Sequence, residues 1–323
     1  MTDRAGQALC NILLMGMFDD LLLVDAEQLR GRISMASAIA ALQAAIREGF
    51  DPDDDPARSI VDVRSGQLLL MPADLGRFTG QKLGMVAPDN PARGLERIQA
   101  VYVLLDAASL SPVALLDGTE LTSIRTPAVS AAAVDAVAAR DAERLVVFGS
   151  GPQAVRHVEA MRAVRPLREA ILVGRDPERT ARAVDAASRF GVAVRAGDAT
   201  DVEGADLIVC ATTAREPLLD ERLVAPTATV VAIGSHEPGA RELPGVLLGR
   251  SQVVVETLRV GTTEAGDVVM AIAEGHLERD DLVTLRQVMR GEVPIAGDRP
   301  RVVKTCGMGW QDLAVASLLG GTA

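Results

Sequence analysis

One stretch of the chain decides the fold, and it reads Leu145-Val146-Val147-Phe148-Gly149-Ser150-Gly151-Pro152-Gln153-Ala154. Residues 145–148 are apolar on both faces, as is typical of a buried strand in a parallel sheet. They lead directly into a glycine-rich turn, and Pro152 can begin a helix because the first helical turn does not need its missing N–H. A second apolar strand, 169–173, follows at the spacing of a β-α-β unit.

This turn predicts a dinucleotide site. Free N–H groups at the helix N-terminus hold pyrophosphate in such units, and the glycines let the backbone approach it closely. A tight glycine turn without a ligand is the alternative, and the complete β-α-β context argues against it. The predicted cofactor-binding residues of the loop are Gly149, Ser150, Gly151, Pro152, Gln153 and Ala154.

The end of the second strand bears on the choice of coenzyme. NAD sites usually carry an acidic residue there for the ribose 2′-hydroxyl. Here Gly174 stands at that place, followed by Arg175, which could pair with a 2′-phosphate. Asp176 comes two residues late, where it can cap a helix that begins at Pro177. The pattern favours NADP(H) over NAD(H), although a register error of one residue would return Asp176 to the NAD position.

The loop sits in a segment where strands and helices alternate, which predicts a doubly wound α/β domain of the Rossmann type over residues 128–295. An alanine-rich helix, 128–139, is expected to open this domain. The other predicted helices are 152–163 and 177–190, and the predicted strands are 145–148, 169–173, 193–195, 206–211 and 228–233.

The chain before this domain has a different pattern. Short apolar runs are separated by Gly, Pro and Asp turns, which is typical of antiparallel strands. We predict a strand at 21–24, a helix at 34–48 and strands at 59–63, 67–71, 82–87, 98–106 and 112–116. Residues 17–127 and 296–323 are thus expected to form a mixed or antiparallel α+β domain that binds the substrate and forms the dimer. Residues 1–16 are expected to be a disordered extension, a better reading of the apolar run 8–18 than a signal peptide.

Composition excludes several classes of function. Aromatic residues make up only 2% of the chain and the formal net charge is −11, so neither stacking platforms nor a basic surface is available for nucleic acid. No apolar run is long enough to cross a membrane. The three cysteines (Cys10, Cys210 and Cys306) form no metal-binding or disulfide pattern, so we expect no metal and a cytoplasmic location.

Three of the basic residues before the loop stand out: Arg58, Lys82 and Arg125. Lys82 opens an apolar strand, and Arg125 lies where the chain passes into the dinucleotide domain. Cations at such junctions can converge on a cleft and bind a carboxylate. Each could equally be a surface charge, and their spacing alone does not bring them together.

Several motifs together resemble the ornithine cyclodeaminase/μ-crystallin family over about residues 17–320. The most distinctive is Leu121-Thr122-x-x-Arg125-Thr126, placed just ahead of the phosphate loop. The others are Leu116-Asp117-Gly118, Lys82 at its strand, Ala205-Asp206, Ala211-Thr212-Thr213, Pro238 with Glu242-Leu243, Glu264-x-Gly266-Asp267 and Lys304-x-x-Gly307-x-x-x-x-Asp312-Leu313.

The resemblance implies a homodimer whose subunits act on α-amino or α-imino acids by hydride exchange at the α-carbon. It assigns the substrate carboxylate to Arg58 and Arg125 and an active-site role to Lys82. It also implies cofactor contacts at Arg175 and at Thr126, Thr212, Gly234 and Gly307.

One departure from the family decides the expected reaction. Cyclodeaminases resemble one another in a Gly-Gly-Asp-Cys-Pro-Gly segment, and here Gly234-Ser235-His236-Glu237-Pro238-Gly239 stands in its place. Without the aspartate, ring closure with loss of ammonia is hard to explain. We therefore expect reduction of a C=N bond next to a carboxylate, with the proton supplied by Lys82 or water and less readily by His236. His236 could instead contact a distal group of the substrate or cap a strand end.

Other functions remain open at this point. A cyclodeaminase that retains NAD⁺ would release ammonia without net coenzyme change, and an amino-acid dehydrogenase would use an α-keto acid and free ammonia. A non-catalytic protein that binds a dinucleotide and a small ligand would not need the basic trio. We expect His157 and His276 to be surface residues, and Cys210 and Cys306 to be small core residues rather than nucleophiles.

Overall fold

The computed structural model describes residues 20–321, so the predictions for residues 1–16 and 8–18 lie outside the described residues. Two sheets organise this part of the chain, one mixed and one wholly parallel. This arrangement confirms the predicted fold class. Within the described range, no helix is both long and apolar enough to cross a membrane.

The first sheet has six strands in the order β1-β6-β5-β4-β3-β2. Only β1 and β6 run parallel, and the other neighbours are antiparallel. Predicted strands 59–63 and 98–106 have the bounds seen in the structure, whereas β3 and β4 are longer than predicted. The strands are β1 (Leu22–Val24), β2 (Ser59–Val63), β3 (Gly66–Asp74), β4 (Phe78–Val86), β5 (Ile98–Asp106) and β6 (Pro112–Asp117).

Two helices follow β1. Helix α1 (Ala26–Arg32), absent from the prediction, is begun by Asp25, which accepts from the Gln28 N–H in a capping box. Helix α2 (Met35–Arg47) begins after Ser34, whose hydroxyl accepts from the Ser37 N–H. Its buried face, which includes Ile39, Leu42 and Ile46, has the three-or-four spacing of one helical side.

Helix α3 (Gly118–Val137) joins the two sheets and corrects one prediction. The alanine-rich helix expected at 128–139 is only its second half, because the helix continues through Pro127. Asp117 caps its true beginning by accepting from the Glu120 N–H over 2.8 Å. A proline commonly marks a helix start, but Pro127 lies in the helix interior. Arg125 therefore projects from the interior of a helix and is buried.

The second sheet has eight parallel strands in the order β13-β12-β14-β11-β10-β7-β8-β9. All five strands predicted here match the structure within one residue at each end, and β12 to β14 were not predicted. The strand order reverses between β7 and β10, which places a ligand crevice at their carboxyl ends. The strands are β7 (Arg144–Phe148), β8 (Glu169–Val173), β9 (Ala193–Ala196), β10 (Leu207–Cys210), β11 (Thr229–Ala232), β12 (Gln252–Val255), β13 (Val283–Thr284) and β14 (Arg301–Lys304).

Helices connect these strands. Helix α4 follows the phosphate loop and α5 follows β8. The helices are α4 (Pro152–Val164), α5 (Pro177–Ser188), α6 (Gly245–Gly249), α7 (Leu258–Thr263), α8 (Gly266–Ala273), α9 (Leu285–Met289) and α10 (Gly309–Ala316).

The last strand and the last α-helix lie against different sheets. Residues 296–323 were expected with the first domain, but β14 lies between β11 and β12 in the parallel sheet. Helix α10 then packs against β3, β4 and α3. A short strand followed by a glycine turn carries no sequence signal of which sheet it joins. The crossing places α10 beside the predicted cations Lys82 and Arg125, which lie on β4 and α3.

Candidate active site

Two of the predicted cations meet on one carboxylate. Lys82, on β4, donates to Asp312 Oδ2 over 2.6 Å, and Arg125, on α3, donates from Nε to Asp312 Oδ1 over 3.2 Å. All three side chains are buried. Asp312 lies on α10, and the sequence marks it only by a motif match. The three groups satisfy one another where isolated charges would be costly.

A buried chain of hydrogen bonds extends from Arg125 to the parallel sheet. Arg125 Nη1 donates to Gln311 Oε1 over 3.1 Å, and Gln311 Nε2 donates to Glu256 Oε1 over 2.5 Å. Glu256 follows β12 and also accepts from the backbone N–H groups of Cys306 and Gly307. Gln311 and Glu256 were not predicted as site residues, and no short motif marks them. The network ties the orientation of Arg125 to both sheets.

Arg58, the third predicted cation, approaches the same place from another side. Its Nη2 lies 2.6 Å from Glu264 Oε2 and donates to the Gly307 carbonyl over 3.0 Å. Gly307 has φ +84°, and a Cβ there would lie 2.6 Å from Arg125 Nη1. Glycine at this position allows the backbone to pass between the two arginines. The structure thus brings Arg58, Lys82 and Arg125 together.

Little space remains beside Arg58. The cavity lined by Asp55, Arg58, Glu264 and Met308 holds about 10 Å³, which is about the room needed for one water. Glu264 places a carboxylate on Arg58, where an external carboxylate would also bind. A ligand can reach the guanidinium of Arg58 only if Glu264 moves away.

Burial perturbs two titratable groups of this cluster. Burial and the charge of Arg125 lower the pKa of Lys82 to about 8, against the raising effect of Asp312. Burial raises the pKa of Asp55 to about 7, although Asp55 Oδ1 accepts from the Trp310 N–H at the start of α10. Lys82 is therefore poised to exchange a proton just above neutral pH.

The histidines divide into three cases. His236 follows β11 and is exposed. Partial loss of solvation around its ring and the positive charge of Arg58 nevertheless lower its pKa. It lies close enough to Arg58 to sense that charge. His276 has a side chain 40% exposed, as predicted.

His157 contradicts the prediction of a surface residue, because it is fully buried and burial lowers its pKa to about 4. Its Nδ1 donates to the Gln153 carbonyl over 2.7 Å, so Nε2 accepts from the Ser130 hydroxyl over 2.9 Å. His157 thus links α4 to α3. Its three-residue spacing from Ala154, on the inner face of α4, could have revealed the burial.

The two described cysteines are poor nucleophiles. Cys210 is fully buried, and burial raises its pKa well above the ordinary value. Cys306 is less enclosed, but burial raises its pKa to about 12. Both observations agree with the predicted core role.

The phosphate loop fits a dinucleotide. Gly149 has φ +131°, and a Cβ there would lie 2.6 Å from the Ala211 carbonyl oxygen. No atom would lie within 4 Å of a Cβ on Gly151, so the backbone faces open space. Pro152 is the first residue of α4, and Ala154 is fully buried against the sheet. The buried Gln153 Oε1 has no hydrogen-bond partner among the described residues.

Glu242 joins the two segments that follow β10 and β11, across from the phosphate loop. It was predicted only as part of a motif. Glu242 Oε1 accepts from the N–H and hydroxyl of Thr212, and Oε2 accepts from the Gly234 N–H. A Cβ on Gly234 would lie 2.1 Å from the Thr212 carbonyl oxygen, so only glycine fits this approach. Thr212 and Gly234 therefore stand together beyond β10 and β11. Thr126 is half-buried on α3, beside Arg125.

The end of β8 agrees with the expectation from the sequence. Asp176 Oδ1 accepts from the Arg179 N–H over 3.0 Å, which confirms its role as the cap of α5. Arg175 is exposed, and its side chain makes no hydrogen bond or ion pair within residues 20–321. Its guanidinium is therefore available to an external group at this edge of the sheet.

Known proteins share this architecture. A Delta(1)-pyrroline-2-carboxylate reductase of Bacillus cereus is 31% identical over 313 residues, covering 93% of this chain and 95% of the relative. The structure of Thermococcus litoralis Delta(1)-pyrroline-2-carboxylate reductase with NADH and L-proline has a TM-score of 0.87 at 26% identity, over 92% of this chain and 96% of that chain. An archaeal alanine dehydrogenase dimer with bound NAD has a TM-score of 0.86 at 26% identity, over 93% and 94%.

The family profile described as ornithine cyclodeaminase/mu-crystallin matches residues 21–321, which is nearly all of the described chain. The match includes the cation cluster, the phosphate loop and α10. The chain therefore belongs to the ornithine cyclodeaminase/mu-crystallin family.

Proposed function

We propose that this protein is an NAD(P)H-dependent reductase of an imine next to a carboxylate, giving an α-amino acid. The substrate class is a cyclic ketimine, such as Δ1-pyrroline- or Δ1-piperideine-2-carboxylate, or a linear imino acid. The observation that carries the proposal is the meeting of Lys82 and Arg125 on Asp312, with Arg58 on the other side of Gly307. The pyrroline-2-carboxylate reductases among the relatives support the same reaction.

Arg58 and Arg125 are proposed to bind the substrate carboxylate. Guanidinium groups match a carboxylate in shape and charge, and a paired approach fixes its orientation. Glu264 already presents such a group to Arg58. The substrate carboxylate would replace Glu264 at Arg58, while Gln311 and Asp312 keep Arg125 in place.

Lys82 is proposed to hold or deliver the proton for the imine nitrogen. Its ammonium is buried beside Asp312 and has a pKa of about 8, so it is protonated at neutral pH and gives up a proton easily. Bound NAD(P)H supplies the hydride to the imine carbon. His236 is the weaker candidate for the proton, because its lowered pKa leaves the ring mostly neutral. It could instead contact the distal part of the substrate.

A second candidate reaction is the reductive amination of an α-keto acid with free ammonia. The alanine dehydrogenase relative favours it, and the same carboxylate-binding arginines would serve. Ammonium, the keto acid, reduced coenzyme and one proton would give the amino acid, water and oxidised coenzyme. The two reactions differ in whether turnover requires added ammonia.

Thr126, Thr212, Gly234 and Gly307 are proposed to complete the coenzyme site begun by the phosphate loop. We propose NADP(H) as the preferred coenzyme, with Arg175 near its 2′-phosphate. Support comes from Gly174 at the place where NAD sites carry an acid. The similar reductase and alanine dehydrogenase structures contain NADH and NAD, so a measurement of coenzyme preference tests this proposal directly.

A homodimer formed through the first sheet is also proposed. Several apolar side chains there face solvent, among them Ile60, Val61 and Ile98, at 57%, 45% and 54% exposure. Exposed apolar side chains that gather on one sheet are typical of an interface.

A cytoplasmic location is proposed as well. The free thiols of Cys210 and Cys306 support it.

Arg125→Leu tests the proposal against a protein that only binds ligands. Imine reduction should fall at least about a hundredfold, since a buried charge-assisted contact is lost, while affinity for NADPH stays within about threefold. Calorimetric titration with NADPH and steady-state kinetics measure both quantities. An equal loss of coenzyme affinity would place Arg125 in the dinucleotide site and contradict the substrate role.

A further inference from the structure

A cavity of about 330 Å³ opens beside the phosphate loop, between α4 and α5. Its mouth is formed by Ser150 and Gly151, and one wall by Arg179 and Arg182 of α5. It is therefore continuous with the surface on which the dinucleotide phosphates are expected. The proposed imine chemistry takes place elsewhere, at Arg58, Lys82 and Arg125, and does not use this cavity.

The arginines around the cavity differ in how they are paired. Arg156 is bonded to Glu120 and Glu159, over 2.6 and 2.8 Å. The Arg179 guanidinium makes no hydrogen bond or ion pair with any residue of the described range, although its charge contributes to the lowered pKa of Asp176. In a chain of net charge −11, an arginine without a bonded carboxylate is available for an external anion.

An acidic residue cannot stand at position 174. A Cβ on Gly174 would lie 2.2 Å from Thr180 Oγ1 and 3.2 Å from Ser150 Cβ. Thr180 is buried and donates to the Asp176 carbonyl over 2.7 Å, so it cannot easily move. The usual acidic contact to the ribose of NAD is thus excluded by packing. Ser150 lies beside Gly174 and lines the cavity together with Arg179.

We propose that the mouth of this cavity, between Ser150 and Arg179, binds a phosphomonoester, the 2′-phosphate of NADP(H). Arg179 is its main ligand, the Ser150 hydroxyl can donate to it, and the exposed Arg175 adds positive charge at the end of β8. A guanidinium binds such a dianion through two parallel hydrogen bonds. The inference rests on the proposed use of a nicotinamide dinucleotide and identifies the residue that selects between its two forms.

The direct test is calorimetric binding of adenosine 2′,5′-bisphosphate and of 5′-AMP. The wild-type protein should bind the bisphosphate at least about tenfold more tightly, and Arg179→Gln should remove most of this preference. Arg168→Gln is the matched control, because it removes the same charge from a side chain 78% exposed outside the cavity lining. A preference that survives Arg179→Gln, or is lost equally in Arg168→Gln, overturns the assignment.

Kinetics separate this inference from the proposed reaction. In Arg179→Gln, KM for NADPH should rise about tenfold while KM for NADH stays within about twofold. Imine reduction with NADH and no preference for the bisphosphate would refute the phosphate site and leave the reductase intact. If the preference for the bisphosphate depends on Arg179 but no imine is reduced, the phosphate site stands and the proposed reductase is refuted.

Discussion

Lys82 and Asp312 are 230 residues apart in the chain, yet Lys82 Nζ lies 2.6 Å from Asp312 Oδ2. Asp312 is fully buried and binds Arg125 through its other oxygen. One carboxylate therefore orients a proposed proton donor and a proposed substrate ligand. We therefore propose Asp312 as a positioning residue that acts through Lys82 and Arg125.

Asp312→Asn should move the pH dependence of catalysis. The proposed mechanism requires protonated Lys82, so kcat/KM should fall as pH rises through about 8. Asp312 raises the pKa of Lys82, and its loss should shift this fall about one unit or more toward lower pH. The pH profile of kcat/KM measures the shift. Asp220→Asn is the control, because Asp220 pairs with Arg222 and its side chain is 38% exposed. Reduced activity with an unmoved alkaline limb would mean that Asp312 is only structural.

Lys82→Met and His236→Asn should affect different kinetic constants. Removing the proposed proton donor should lower kcat about a hundredfold or more, whereas His236→Asn should act mainly on KM, because the neutral ring is a poor acid. Steady-state kinetics with one imine at saturating coenzyme compare the two. A larger loss of kcat in His236→Asn would exchange the two roles.

Glu264→Gln should improve substrate binding. The neutral amide competes less well for Arg58 than the carboxylate does, so KM for the imino acid should fall about threefold, with kcat little changed. Glu203→Gln, at an exposed position without an ion pair to any described residue, controls for the change in net charge. A rise in KM would show that Glu264 holds Arg58 in its productive orientation instead of blocking it.

Gly307→Ala should displace the guanidinium of Arg125 in addition to straining the backbone at residue 307. A methyl group there meets Arg125 Nη1 at 2.6 Å, whereas Gly291, with φ +67°, has no atom within 4 Å of the corresponding position. Gly307→Ala and the control Gly291→Ala should each lower the free energy of unfolding by about 1 kcal/mol, because alanine is strained in the left-handed backbone conformation. Only Gly307→Ala should raise KM for the imino acid, by about tenfold or more. Equal kinetics in the two variants would remove Gly307 from the site.

Ile60→Glu should weaken the proposed dimer. A charge at this exposed apolar position on the edge strand β2 should shift the sedimentation coefficient toward that of a monomer. Val246→Glu, on the short helix α6 of the other part of the chain, changes a comparably exposed residue and should leave the dimer intact. A wild-type protein that sediments as a monomer would contradict the proposal at once.

The phosphate loop was predictable because its signals are local. An apolar strand, two glycines and a helix-starting proline follow one another within a few residues, and the structure has all of them in place. The strands beside the loop were predicted for the same reason. Asp176 as a helix cap follows from another local rule, and the structure confirms it.

What could not be predicted depends on contacts between distant segments. Asp312, Gln311 and Glu256 acquire their roles only when β14 enters the parallel sheet and α10 leaves it, and no local pattern encodes that crossing. The alanine-rich segment 128–139 predicted only the second half of α3, because the helix starts at Gly118 and continues through Pro127. The prediction that His157 is exposed was wrong, because its spacing from Ala154 places it on the buried face of α4.

The most direct test of the proposed reaction follows coenzyme absorbance and amino acid product together. Purified protein, NADPH or NADH and a cyclic ketimine carboxylate should consume one equivalent of coenzyme for each equivalent of cyclic amino acid formed, without added ammonia. If no imine consumes coenzyme, and ornithine or lysine instead releases ammonia with no net coenzyme change, the protein is a cyclodeaminase and the reading of His236 is wrong.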